Sequence, residues 1–456
     1  WEVRRDSDED GWIVATVPGT VLSSYVNIGA LHDPDHADNQ LFISESFFRS
    51  DFWYRNTFNA SLKGSQRQFL NFDGINWKAE IYLNGHHVGE IDGAYRKAGF
   101  DVTGVLKDGQ NELSVKVICN EHFGSVTQQD AFDANGNGGI LGADNPTIHA
   151  TIGWDWIPTM RGRSAGIIDE VYLAYTGPVT IEDPFVRTVL PLPDTSYADI
   201  MTEVTLVNHS DVPVSGVLKG RYGDLAFEQP QTIAAGESIT VTPAPMRLDN
   251  PELWWPNGYG EPHLYDVCLA FEADGAVSDV EEFKSGVRQM EVRFDESPAA
   301  AEGIQKERLN LYVNGRRFVA FGGNWGLPEH MLGYRAREYD IAVGYHKHMN
   351  FTMIRNWVGQ TFDKEFYEAC DRHGIVVWQD FWLANPADGP EPYDIDRFNR
   401  IAEEYVRRIR NHPSIGIYVG RNEGNPPAEI DDFLRDMVGR THPDIYYLSN
   451  SADGPV

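Results

Sequence analysis

Asn422 and Glu423 form an amide–carboxylate pair inside the stretch IGIYVGRNEGNPP, Ile415–Pro427. The stretch opens as a short apolar run rich in β-branched and aromatic residues, the pattern of a buried parallel strand. It breaks at Gly420 into Arg421, Asn422 and Glu423, and the glycine and two prolines that follow forbid continuation as helix or strand. A carboxylate beside an amide at the carboxyl end of a buried strand is where α/β enzymes keep their chemistry. The plainer reading is a structural salt bridge between Glu423 and Arg421.

Three further strand ends carry polar and aromatic residues in the same sense: Asn324–Trp325, Arg355–Asn356–Trp357 and Gln379–Asp380–Phe381–Trp382. The chemistry this set suggests is glycoside cleavage. One carboxylic acid protonates the leaving oxygen, and a second carboxylate about 5–5.5 Å away attacks the anomeric carbon. Trp325, Trp357 and Trp382 are candidates to stack on a pyranose ring, and Asn422 to hydrogen-bond a ring hydroxyl. Each indole also has a reading as packing.

The elements that would position these residues occupy the last third of the chain. From about residue 308, strand-like runs (RFVAFGGNW, FTMIRNWVG, IVVWQDFW, IGIYVGRNE, IYYLSNS) alternate with helical stretches near 337–349, 363–373, 396–410 and 428–438. Such βα order reads as a parallel sheet. Without a glycine-rich phosphate turn, a dinucleotide fold is disfavoured and a (β/α)8 barrel preferred. Only about five strands are present, and five cannot close a barrel. The expectation is therefore the first part of a barrel over residues 301–456, with the remaining strands supplied from elsewhere.

Two β-rich regions precede it. Residues 1–177 alternate short strands (FWYRNTF, AEIYLNG, ELSVKVI) with turns, Asn84–Gly85 and Asp108–Gly109 being hairpin signals. They predict a sandwich or jelly roll. Residues 178–300 repeat the style and predict an immunoglobulin-like β-sandwich.

Composition narrows the classes. The chain has 456 residues, enough for two to four domains, and its net charge of −30 repels phosphate backbones, which argues against nucleic acid as a partner. No apolar run is long enough to span a membrane. The three cysteines, Cys119, Cys268 and Cys370, give neither a disulfide framework nor zinc spacing. Asp133 to Asp144 imitates a calcium loop but lacks flanking amphipathic helices, and reads as a surface loop. His346 and His348 are two apart on a helix and do not share a face. No metal and no cofactor is expected.

Taken together, the motifs resemble glycoside hydrolase family 2, which holds β-galactosidases, β-glucuronidases, β-mannosidases and exo-β-glucosaminidases. VPGTV (Val17–Val21), FWYRNTF and DGINWKAEIYLNG (Asp73–Gly85) are similar to its N-terminal sugar-binding jelly roll. LWWPNGYGEPHLY (Leu253–Tyr265) is similar to the end of its sandwich, and FGGNW, MIRNW, WQDFW and GRNEG to its first four barrel strands. The resemblance implies that Glu423 is the general acid/base, that Asn422 contacts the 2-hydroxyl, and that Arg355 supports the carboxylates. It places Trp325 and Trp382 along the first subsite, beside Asn324. GWDWIPTMRGR (Gly153–Arg163) resembles a loop sent into the barrel mouth in the mannosidase and glucosaminidase branch. There Asp155 would meet the far hydroxyls and Trp154 or Trp156 would wall the pocket. The implied activity is that of a retaining, exo-acting β-glycosidase, β-mannosidase-like or β-galactosidase-like, with a carbohydrate as its partner and a secreted or periplasmic location.

Two departures accompany this. The family nucleophile is a glutamate on a later strand, and the chain ends at Val456 before one, so the nucleophile is expected beyond it. The glucosaminidase branch carries Ser-Asp where this chain has Asn422–Glu423, which argues against amino sugars. A non-catalytic carbohydrate-binding protein with a vestigial barrel is the alternative.

Overall fold

The structure, a computed structural model, describes residues 1–452 except 63, 65, 123–124, 127–138, 141–143, 149–160, 297–306, 330 and 385–390. Its N-terminal part is a two-layer β structure. A six-stranded antiparallel sheet runs in the order Ile13–Val14, Glu2–Arg5, Phe52–Ala60, Gly109–Ile118, Lys78–Leu83, His86–Asp92. A three-stranded sheet of Val171–Thr176, Arg67–Phe72 and Ala98–Asp101 belongs to the same unit. Alternate residues of Lys78–Leu83 and Arg67–Phe72 are buried, and Leu70, Phe72, Ile81 and Leu83 join Phe52, Tyr54 and Val115 in one apolar core. Asn84 and Gly85 both have positive φ (52° and 80°), as a two-residue hairpin turn demands. Asp108–Gly109 makes no such hairpin: the strand opening at Gly109 and the preceding strand, Ala98–Asp101, lie in different sheets.

The second part packs two four-stranded antiparallel sheets. One holds Val179–Val189, Tyr197–Asn208, Ser238–Val241 and Met246–Asp249, the other Leu225–Ile233, Val214–Tyr222, Tyr265–Ala273 and Ala276–Ser285. Val204, Leu206, Leu218, Leu269 and Phe271 fill the space between.

The third part holds the strand ends singled out in the sequence. Five parallel strands lie side by side in chain order: Gly322–Trp325, Met353–Asn356, Val376–Asp380, Ile415–Arg421 and Tyr446–Asn450. Helices Ala336–His348, Lys364–His373, Ile395–Ile409 and Ala428–Thr441 connect them. The third helix buries Phe398, Ile401, Ala402, Tyr405, Val406 and Ile409, a stripe at helical spacing, and Asp394 caps its first turn through Arg397 N. All seven residues of Ile415–Arg421 are buried. Ahead of the parallel sheet, Met290–Glu296, Glu307–Val313 and Arg316–Phe318 form a small antiparallel sheet whose Met290, Leu311, Val313 and Phe318 share the core of this third part.

The N-terminal part is docked on the helices of the third. Trp77, Tyr95, Ile148 and Ile168 enter the third part's core, and Arg96 makes a two-pronged ion pair with Glu404 on the third helix.

Candidate active site

Register sorts the strand-end residues onto two faces. Trp325, Asn356, Gln379, Tyr418 and Tyr447 are successive partners across the sheet, as are Asn324, Arg355, Trp378 and Ile417. Paired residues of a parallel sheet share a face. The first row looks toward the helices. The Trp325 ring stacks on Phe366 with centroids 5.4 Å apart and meets Tyr339 and His346 edge-on or tilted, while its Nε1 donates to Thr361 Oγ1 at 2.9 Å. Gln379 Oε1 accepts from Asn356 Nδ2 (3.1 Å) and from the Tyr367 hydroxyl (2.7 Å).

The second row forms the opposite face and carries the charged centre. Arg355 donates through Nε (3.0 Å) and Nη2 (2.7 Å) to Asp380 Oδ2 and lies over the Trp378 ring, 5.3 Å from its centroid. Asp380 is completely buried. It also accepts from Val358 N (3.0 Å) on Oδ2 and from Trp378 Nε1 (2.7 Å) on Oδ1. Burial pushes the Asp380 carboxyl up, and the Arg355 guanidinium opposes the rise. Arg355 Nη2 reaches on to Asn422 Oδ1 at 2.8 Å, and Asn422 N donates to Leu383 O at 2.9 Å. Arg355 and Asn422 are thus brought together at the carboxyl end of the sheet.

Glu423 is the next residue. It is exposed, its φ is 50°, and its amide donates to Ser451 Oγ at 3.0 Å. A positive φ at a residue other than glycine marks a position held by its surroundings. Arg421 is buried and turns to Ala384 O (2.7 Å) and Glu391 Oε1 (2.8 Å). Asn324, exposed, stands opposite Arg355 on the first strand.

Two expectations are corrected. Trp382 has no exposed surface: its ring stacks on Tyr95 of the N-terminal part at 4.5 Å and packs against Phe398 and Tyr405. It lies past the last strand residue, Asp380, so strand alternation does not aim it at the open face, and it cannot offer a ring to a sugar. Trp325 sits on the helix-facing row, where Phe366 takes its face. The indole on the open face is Trp378, half-buried, which the sequence reading passed over. Counting back two from Asp380 along a period-two strand would have found it. Trp154 and Asp155 lie outside the described residues, as does most of Asp133–Asp144.

A small cavity lined by Arg187, Arg288, Arg410 and His442 among others lies at the amino ends of the strands, away from Glu423. Arg288 there donates to Pro413 O and Ile415 O, a structural use that ties the sandwich to the sheet. Among the described residues no group of three or more metal-ligating side chains occurs, and no helix is long and apolar enough to cross a membrane.

The arrangement offers a carboxyl group in reach of solvent, an amide of fixed orientation beside it and an arginine held by a buried aspartate. Comparison with known proteins agrees in kind. Residues 1–169 match the model of a glycosyl hydrolase 2 galactose-binding domain-like domain, and residues 179–288 that of glycosyl hydrolases family 2. The chain is 34% identical over 460 residues to a mannosylglycoprotein endo-β-mannosidase of Lilium longiflorum, covering 95% of this chain and 46% of the relative. It is 27% identical to an exo-β-D-glucosaminidase of Streptomyces avermitilis, covering 94% and 46%. Among solved structures, a β-D-mannosidase from Dictyoglomus thermophilum superposes with a TM-score of 0.80 at 26% identity, over 99% of this chain and 57% of that one. The chain spans about half the length of the curated relatives it matches.

Proposed function

The chain belongs to glycoside hydrolase family 2, and we propose that the protein it forms part of is a retaining β-glycoside hydrolase that removes a β-mannosyl residue from the non-reducing end of a glycan. Glu423 protonates the leaving oxygen in the first step and takes the proton from water in the second. Asn422 holds the sugar's 2-hydroxyl, and Arg355 supports the charge of the site. Asn324 and Trp378 line the approach, joined by Trp154 and Asp155 of the Gly153–Arg163 loop. The five parallel strands are the first part of a (β/α)8 barrel over residues 301–456, preceded by a jelly roll over 1–177 and an immunoglobulin-like sandwich that starts at 178 and ends before Met290–Glu296, short of the expected 300, because that strand joins the third part's core. The remaining strands, with the nucleophilic glutamate, come from residues outside this chain. Carbohydrate is the partner, nucleic acid is not, and the site of action is secreted or periplasmic.

One observation carries this reading: the Asp380–Arg355–Asn422 chain of bonds, which sets a fixed amide next to an exposed glutamate at the carboxyl end of a buried parallel strand. β-Mannoside is favoured over β-glucosaminide by Asn422–Glu423 standing where the glucosaminidase branch carries Ser-Asp, and by the names of the lily and Dictyoglomus relatives. The name of the lily relative also supports a second reading, cleavage of an internal β-mannosidic bond.

The test is a panel of aryl β-glycosides and a mannosylated glycopeptide offered to the full-length protein. Fastest turnover on aryl β-mannoside is expected. Preference for β-glucosaminide would overturn the sugar assignment, and cleavage of the glycopeptide alone would favour the internal reading. Binding of sugar with no turnover would leave a carbohydrate-binding protein.

A further inference from the structure

We propose that Asp380 is a positioning residue for sugar binding: it fixes Arg355, and through Arg355 it turns Asn422 so that the amide Nδ2 faces the sugar's 2-hydroxyl. The proposal rests on the glycosidase reading of this site and adds to it that the hold of Asp380 acts on recognition of the 2-hydroxyl.

A guanidinium has hydrogen-bond donors and no acceptor. The amide atom facing Arg355 Nη2 at 2.8 Å must therefore be the Asn422 oxygen. With Oδ1 taken, Nδ2 is the amide group left for a ligand, and among the described residues it has no protein acceptor. Asn422 thus presents its Nδ2 as a donor to the 2-hydroxyl oxygen, while its Oδ1 is turned toward Arg355.

What keeps Arg355 in place is Asp380. Its two oxygens collect four donors: Arg355 Nε, Arg355 Nη2, Val358 N and Trp378 Nε1. The acceptor capacity of a carboxylate is well matched to this set, and that of an amide is not. An asparagine at 380 would turn an NH2 group toward donors on one side or the other. Val358 is β-branched and has a φ of 44°, a conformation that needs holding, and the Asp380 bond to its amide supplies the hold. The carboxylate also balances the Arg355 charge inside the fold.

The experiment compares Asp380→Asn with wild type in the full-length protein, on an aryl β-mannoside and on its 2-deoxy analogue. On the parent substrate kcat falls by about 10- to 100-fold while KM moves little, because a hydrogen bond that strengthens in the transition state is lost. On the 2-deoxy substrate the variant stays within about threefold of wild type, since no 2-hydroxyl is there to be held. In an Asn422→Ala background, Asp380→Asn costs no more than about a further twofold. Arg355→Lys keeps Asp380 but breaks the two-pronged bridge, and it shows the same selective loss even if Asp380→Asn does not fold.

Equal losses on both substrates, or an undiminished cost of Asp380→Asn in the Asn422→Ala background, would reduce Asp380 to a structural residue. If wild type hydrolyses neither substrate, the exo-acting β-mannosidase reading falls and this proposal with it. If wild type turns over both and the losses are equal, this proposal alone falls.

Discussion

Glu423 owes its exposure to its own backbone. At a φ of 50° the chain leaves the direction of the strand immediately after buried Asn422, and the side chain that would otherwise continue into the sheet points to solvent. Trp382 shows the opposite behaviour. Its ring is spent on Tyr95, Phe398 and Tyr405, so its contribution is to docking the N-terminal part. Trp382→Ala should lower stability by about 3–5 kcal/mol, as deletion of a fully buried indole does. Trp382→Phe should leave KM for the glycoside near wild type. Thermal melts and steady-state kinetics check the pair, and a large rise in KM with unchanged stability would return Trp382 to the sugar site. What could be read without coordinates was the place of Asn422, Glu423 and Arg355 at the carboxyl ends of buried strands, where polar residues interrupt an apolar run. The indoles could not be, because stacking on a sugar and stacking on a tyrosine ask the same of a tryptophan. Only the parity of the strand separates Trp378 from Trp325, and parity needs a register that one sequence does not supply.

The strand Ile415–Arg421 sets the position of the site. It was legible as an element because a short, apolar, β-branched run bounded by glycine and proline has few other uses. The four helices were legible from the same alternation, with ends displaced by one to three residues where caps decide them. Gly420 shows what the strand needs sterically: a Cβ there would lie 2.1 Å from the Tyr447 hydroxyl oxygen and 2.7 Å from Ser449 O. Gly420→Ala must push the fourth and fifth strands apart two residues before Asn422. We expect a loss of about 1–3 kcal/mol in stability, typical of an overpacked site, together with reduced kcat. Denaturant melts check the first part, and unchanged stability would mean that Tyr447 moves aside at no cost. Asp108–Gly109 failed as a hairpin signal because turn residues report a local bend and not which sheet the next strand joins.

The protein as a whole is built as three cores tied by charged and aromatic contacts, among them Arg96–Glu404, Arg408–Asp169 and Arg187–Asp444. Repeating strand–turn units made the order of the three parts legible. The contacts between them were not, since each joins residues hundreds of positions apart. Asp363, at the start of the second helix of the third part, gives this assembly a pH response. Burial pushes its carboxyl up to about 6, Asp169 and Glu365 add to the rise, and the Tyr339 hydroxyl, donating to it at 2.5 Å, opposes it. An acid with a raised folded pKa stabilises the fold in its protonated form. That contribution is complete below the unfolded value near about 4 and is lost as pH rises through about 6. Asp363→Asn should flatten the dependence of Tm on pH between about 4 and 6, and an unchanged slope in thermal melts would contradict the assignment.

The claim on which everything else rests is that Glu423 passes the proton in glycoside cleavage. It is tested most directly by Glu423→Ala in the full-length protein, assayed on β-mannosides with a poor and a good leaving group, with and without azide. Loss of a general acid should slow the poor leaving group by about 10²–10⁴-fold and spare the bond-breaking step for the good one. Azide, which needs no base, should restore turnover and yield the β-glycosyl azide. Equal rates for wild type and variant, or equal losses on both substrates with no response to azide, would show that the proton comes from elsewhere.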